Sequence, residues 1–245
     1  TPTVSDDPHP ISDATCLSSA TVCTNFRDAP VGNLIVTSSD GTLDQAVAVD
    51  DFAAYEVSQS GLSLAFEVGP SFGAGASVLD AEVHFRLDAW PEDNGNPRVE
   101  RMMLYDRSQW MGVALYPSRV VQFMLQLDDP NSGAAPFYHA ATTPLDELGV
   151  GLGTWHRLRF RFESGTVRAW LDGEQTPMGF GGSSGIVEAG SYAEVLGVLD
   201  APLADNPSPY VTLGHDGREA SGYRPDAPDN VWQGAIGFFS MRIDD

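Results

Sequence analysis

The chemistry in residues 78–88 lies on one side. Asp80, Glu82, His84, Arg86 and Asp88 alternate with Leu79, Ala81, Val83, Phe85 and Leu87, the pattern of a strand whose one face is buried. Strand residues two apart sit near the lower end of the roughly 5–9 Å that separates the paired carboxylates of a glycosidase, so Asp80 and Glu82 have an acid/base spacing. The commoner role for such a face is solvation and cross-strand ion pairing. A lyase that takes a proton beside a uronate needs Arg, Gln or His to neutralise the anion and Tyr or His as base. Gln122, Gln126, His84, Tyr105 and the arginines supply those types.

A second set occupies residues 155–173. Leu158, Phe160, Phe162, Val167, Ala169 and Leu171 fall on one side, and Arg157, Arg159, Arg161, Arg168 and Trp170 on the other. Ser164-Gly165 supplies the tight turn of a hairpin, and Asp172-Gly173 a second one. With Phe162 opposite Val167, Arg161 faces Arg168, Arg159 faces Trp170 and Arg157 faces Asp172. The second pairing suits a cation–π contact and the third an ion pair. Two guanidiniums face to face call for an anion, either a carboxylate or a ligand, and Asp80 and Glu82 are candidates for the carboxylate. Trp110, Trp90, Tyr116, Phe137 and Tyr138 lie at or near turns, where an aromatic ring packs at a sheet rim or stacks on a sugar.

These elements imply an all-β chain, an antiparallel β-sandwich. The order Trp155-His156, alternating strand, Ser164-Gly165, second strand, Leu171-Asp172-Gly173 resembles the signature hairpin of laminin-G-like domains of the concanavalin A-like jelly-roll superfamily. Residues 211–214 and 231–244 look like that family's closing pair of strands, residues 78–127 like its central run, and residues 26–32 like its entry strand and turn. The resemblance spans residues 24–245, with an insertion near 174–209 that is long enough to cover a sheet edge or wall a groove. It implies a sandwich whose first strand lies beside its last. The superfamily mixes lectins, adhesive modules, glycoside hydrolases and polysaccharide lyases. It also implies a structural Ca²⁺ where those strands meet, with Asp28 and Asp244 in the ligand positions. The glucanase string Glu-x-Asp-x-x-Glu lacks its third carboxylate after Asp80-Ala81-Glu82, and the Arg-Ser/Thr-Glu-Leu and Tyr-x-Lys-x-Gly-x-Tyr strings of jelly-roll alginate lyases are absent.

Composition narrows the partners. The formal charge is -21, from 34 acidic and 13 basic residues, and every basic residue is arginine. So acidic a surface repels phosphates and anionic membranes, so nucleic acid is not expected as a partner. No apolar run reaches the length of a membrane span, and no membrane insertion is expected. The polar, acidic residues 1–23 read as a linker. The two cysteines, Cys16 and Cys23, are expected to close a small disulfide loop in an exported protein, whether extracellular, periplasmic or cell-surface, since zinc would need more ligands. No Gly-x-Ser-x-Gly, Walker loop or zincin helix appears.

The function expected from this sequence is a non-catalytic, extracellular or surface-tethered module that recognises a polysaccharide or glycoconjugate, with an acidic glycan suiting the arginines. His84, Arg86, Trp110, Arg159, Arg161, Arg168 and Trp170 are the expected ligand-binding residues. The alternatives are a jelly-roll polysaccharide lyase or glycoside hydrolase, and an adhesive or structural surface protein. Oligomeric state leaves no trace in the sequence.

Overall fold

The computed structural model describes residues 15–26, 28–38, 48–49, 52–57, 62–93, 101–107, 111–131, 135–180, 192–216 and 231–244. Two antiparallel sheets of eight strands lie face to face. The first runs in the order β1 (Val22–Thr24), β18 (Gly234–Asp244), β7 (Val78–Leu87), β12 (Trp155–Glu163), β13 (Thr166–Leu171), β14 (Glu174–Thr176), with β16 (Leu196–Gly197) on β13 and β5 (Tyr55–Glu56) on β18. The second runs β15 (Met178–Phe180), β11 (Phe137–Thr142), β10 (Val121–Gln126), β9 (Met111–Leu115), β8 (Met102–Asp106), β17 (Tyr210–Leu213), β6 (Leu62–Glu67), β2 (Asn33–Ser38). The short strands β3 (Ala48–Val49) and β4 (Phe52–Ala53) pair with each other. No helix occurs among the described residues, and residues 145–149 form turns.

Period-2 alternation explains why these segments make sheets and why the sheets pack. Leu79, Ala81, Val83, Phe85 and Leu87 of β7 and Leu158, Phe160 and Phe162 of β12 turn inward, where they meet Leu115, Val121, Phe123 and Leu125 of the other sheet. Phe123 stacks on Phe160 with ring centroids 5.0 Å apart. Trp232, fully buried, stands edge-on to Phe85 at 5.4 Å and donates its indole N–H to the Arg86 carbonyl. In β18, Ile236 and Phe239 both face this core although they are three residues apart. A strict alternation forbids that, and the register shift between Ile236 and Phe238 supplies the missing residue as a bulge.

β1 pairs with β18, so the first and last strands are neighbours, as the family resemblance implies. Two expectations are corrected. The entry strand is β1, and residues 28–32 form the return loop after it, with Val31 bridging back to Cys23. The last two strands, β17 and β18, do not pair with each other but lie in different sheets, because each finds its hydrogen-bonding partners on a different side of the core. Within the 174–209 segment, β14 edges one sheet and β15 the other. Arg107, almost fully buried, ties this segment to the loop after β6 through hydrogen bonds to the carbonyls of Asn206 and Ser208 on one side and Phe72 on the other. Burial pulls its pKa down to about 10, which leaves it charged at neutral pH.

The disulfide joins Cys16 to Cys23. Its loop lies against β18, where the Leu17 N–H donates to Ser240 Oγ at 3.0 Å and the Thr21 N–H to the Met241 carbonyl at 2.8 Å.

The β12–β13 turn depends on positive φ at Ser164 (47°) and Gly165 (67°), the geometry that matches strand twist. A Cβ on Gly165 would also sit 3.0 Å from the Asp200 Cα and 3.1 Å from its N. Gly165→Ala is therefore expected to cost about 1–2 kcal/mol, read as a lower urea midpoint with unchanged slope.

Candidate functional site

The outer face of the first sheet is where the chemistry-bearing residues of β7 and the hairpin converge. The register places Arg161 opposite Arg168 and Arg159 opposite Trp170, as the alternation implies. On the other side of β12, β7 sets Asp80 opposite Arg161, Glu82 opposite Arg159 and His84 opposite Arg157. The ion pairs run diagonally. Arg159 donates from Nε and Nη2 to both oxygens of Asp80 at 2.7 and 2.5 Å, and Arg157 Nη2 donates to Glu82 Oε2 at 2.7 Å. The Arg159 guanidinium also lies over the Trp170 ring, 5.5 Å from its centroid. Asp80 holds Arg159 above its ordinary pKa through these hydrogen bonds.

This packing removes several expected residues from the reach of a ligand. Asp80 is 1% exposed, Glu82 4% and His84 2%, so the face of β7 is neither a solvated surface nor an open cleft floor. His84 Nε2 sits 3.0 Å from Glu82 Oε1, and its ring rests on Phe238, which the β18 bulge has turned to this side. Asp80 and Glu82 are each committed to an arginine, so neither carboxylate is placed to serve an open catalytic cleft. Arg86 is paired with Asp88 through two hydrogen bonds and lies over Trp155. The expected pairing of Arg157 with Asp172 survives only through the Arg157 backbone N–H, at 2.7 Å, while the Asp172 carboxylate takes His156 at 2.8 Å. Trp110 lies outside the described residues.

One rung across the sheet lines up Arg242, Asp80, Arg161 and Arg168, and its arginines stay partly exposed while Asp80 is buried. Its single carboxylate already holds Arg159 bidentately from the next rung. Arg161 reaches Glu163 on its own strand at 2.8 Å, and Arg242 reaches Asp244 at 2.9 Å. Among the described residues, Arg168 meets the Thr166 hydroxyl at 3.2 Å and no carboxylate, and Arg161 Nε has no hydrogen-bond partner. Sequence reasoning finds Arg161 and Arg168 from alternation. It misses Arg242, whose place beside Asp80 depends on how β18 registers against β7.

The two expected calcium ligands stand apart. Asp244 pairs with Val78 at one end of β18, whereas Asp28 follows Thr24, which pairs with Phe239. At about 3.3 Å per residue the strand alone separates these ends by about 16 Å. Asp28 accepts from the Asn25 side-chain amide and Asp244 forms an ion pair with Arg242, and no group of three or more His, Cys, Asp or Glu among the described residues could hold a metal ion. The two carboxylates do not fit one shared ion.

The other sheet also carries polar groups on its outer face. Arg101 donates to the Tyr116 hydroxyl at 3.3 Å and pairs with Asp216 at 3.2 Å. His139 Nδ1 lies 3.0 Å from Gln122 Oε1. These are residue types a lyase would use, but Arg101 is 5% and Tyr116 6% exposed, which keeps that hydroxyl from the proton of a polymer chain.

Burial alone would raise the Glu82 pKa, yet hydrogen bonds from His84 and Arg157 hold it below the ordinary 4.5. Asp172 is likewise held below 3.8 against burial, by His156 and the Arg157 N–H. Folded-state values below the unfolded ones mean that both carboxylates stabilise the fold fully above those ordinary values, and that this contribution is lost as pH falls through the lowered ones. Urea unfolding between neutral and acid pH is expected to show this loss, with a shallower dependence in Glu82→Gln.

No family model matches this chain, and no curated protein matches it. Among solved structures it is similar to the botulinum neurotoxin serotype D binding domain, at 10% identity over 93% of this chain and 48% of that one, with a TM-score of 0.55. An HCR/D mutant gives 11% identity, 91% and 47% coverage and a TM-score of 0.50. Mouse laminin alpha1 domains LG4-5 give 14%, 78%, 41% and 0.45. The chain spans less than half the length of each of these chains. At such identities the likeness speaks for the fold alone, and that fold is the antiparallel jelly-roll sandwich that the hairpin motif implies.

Proposed function

We propose that this chain is a non-catalytic binding module of an exported protein, and that it recognises an acidic glycan through the outer face of the β12–β13 hairpin. The observation that carries this reading is the rung of Arg242, Asp80, Arg161 and Arg168, which sets three guanidiniums beside one carboxylate that is already taken. In a chain of formal charge -21, a cationic rung is not a by-product of composition. A planar guanidinium with unused donors suits a uronate carboxylate or a sulfate, which accept two parallel hydrogen bonds. Trp170 lies one rung away on the same face, where an aromatic ring can line a sugar. The Cys16–Cys23 disulfide fits an oxidising compartment, which supports export. No helix among the described residues is long and apolar enough to cross a membrane. The jelly-roll fold hosts binding modules and enzymes alike, so the site carries the distinction.

The test is a panel of neutral, uronate-containing and sulfated polysaccharides. Retention on the polymer is followed together with the ultraviolet absorbance of unsaturated products and with new reducing ends. The expected outcome is retention on acidic polymers that weakens with added salt, without new products. Arg168→Ala should lower affinity by about tenfold, as loss of one charge-assisted contact does. Products would instead point to the lyase or hydrolase alternative, and no retention on any polymer to the adhesive or structural one.

A further inference from the structure

The outward arginines of β12, β13 and β18 all lean toward the same end of the first sheet. Arg157 reaches from its own rung to Glu82 on the next, and Arg159 from there to Asp80 on the one after. On the last cationic rung Arg242 reaches Asp244, Arg161 reaches Glu163 and Arg168 reaches Thr166. Asp244, Glu163 and Thr166 share the rung beyond, which continues to Gly197 on β16. In this comb each guanidinium meets a carboxylate except that of Arg168, which among the described residues meets a hydroxyl in the place where the pattern puts an acid.

The vacant place is open to solvent. Arg168 and Thr166 are half-buried, Gly197 is exposed, and a Cβ built on Gly197 would meet nothing within 4 Å. Thr166 spends its own proton on the Glu163 carbonyl at 2.7 Å, so the donors left for an incoming acid are the Arg168 N–H groups that do not reach Thr166. The neighbouring cations add little to them. Glu163 balances Arg161 and Asp244 balances Arg242, which leaves one uncompensated guanidinium on the face. A second acidic group beside the first would find no free cation and would meet the repulsion of a chain whose formal charge is -21.

We infer that this face seats one acidic group per ligand, on Arg168 beside Thr166 and Gly197, and that its glycan carries isolated acids among neutral sugars rather than an acid on every ring. The inference rests on the reading of the chain as an acidic-glycan binder and narrows the class of glycan.

The test measures binding of the full chain to polygalacturonate and alginate, each methyl-esterified to graded extents so that acid density changes on an unchanged backbone. Affinity per acidic group should be greatest on sparsely acidic material, and binding should vanish on the fully esterified polymer. Thr166→Glu fills the vacant place with a carboxylate and should lower affinity by about tenfold, with thermal unfolding followed alongside. Glu163→Gln releases Arg161 for a second acid and should raise affinity for the fully acidic polymer severalfold, a gain that a merely structural role for these side chains does not produce. Affinity per acidic group that stays level or climbs to the fully acidic polymer, or that is unchanged in both variants, overturns the single seat and leaves the acidic-glycan reading standing. Binding indifferent to esterification removes the two together. Absence of binding to both polymers overturns the seat, and the sulfated polymers of the panel above then decide the broader reading by themselves.

Discussion

Asp80 and Glu82 stand on a central strand of a sheet and are almost completely buried, and much of the local structure follows from that. A carboxylate taken out of water is tolerated only when it is paired and hydrogen-bonded. β12 meets this need because its arginines alternate with the residues that fill the core, so the strand that buries Phe160 and Phe162 inward carries Arg157 and Arg159 outward to Glu82 and Asp80. A slip of one residue would expose the apolar face and leave both acids unpaired. The same pairing therefore fixes the register of β7 against β12, and through the hairpin turn that of β13.

The ion-pair ladder also decides what the face can do. The carboxylates and the histidine that suggest catalysis are spent on structure, with His84 closed in by Glu82 and by Phe238. The arginines outnumber the acids that hold them, and the excess collects at the hairpin, on the rung where Arg161 and Arg168 oppose each other. A like-charge pair across a ladder is unfavourable by itself, which is the physical ground for the anion recognition proposed there.

The opposite face is built differently. There the polar groups are amide, imidazole and phenol over a floor of methionine and alanine, and the one guanidinium of that cluster is neutralised by Asp216. Both faces lie on strand ladders, so the geometry of each is set by backbone pairing.

The sequence by itself determined the sheet class, the hairpin turn at Ser164-Gly165, the pairing of Arg161 with Arg168, the Arg159–Trp170 contact and the disulfide. Each is local: period-2 alternation, a glycine that accepts positive φ, and two cysteines separated by a short loop. Only the tertiary structure decided that β7 lies beside β12 and β18, which buried Asp80, Glu82 and His84 and brought Arg242 into the rung. It also decided that the β18 bulge turns Phe238 over His84, that Asp28 and Asp244 lie apart, and that Gln122 and His139 meet. These contacts join residues distant in sequence, and the order in which strands assemble into a sheet leaves no period in the chain to be read.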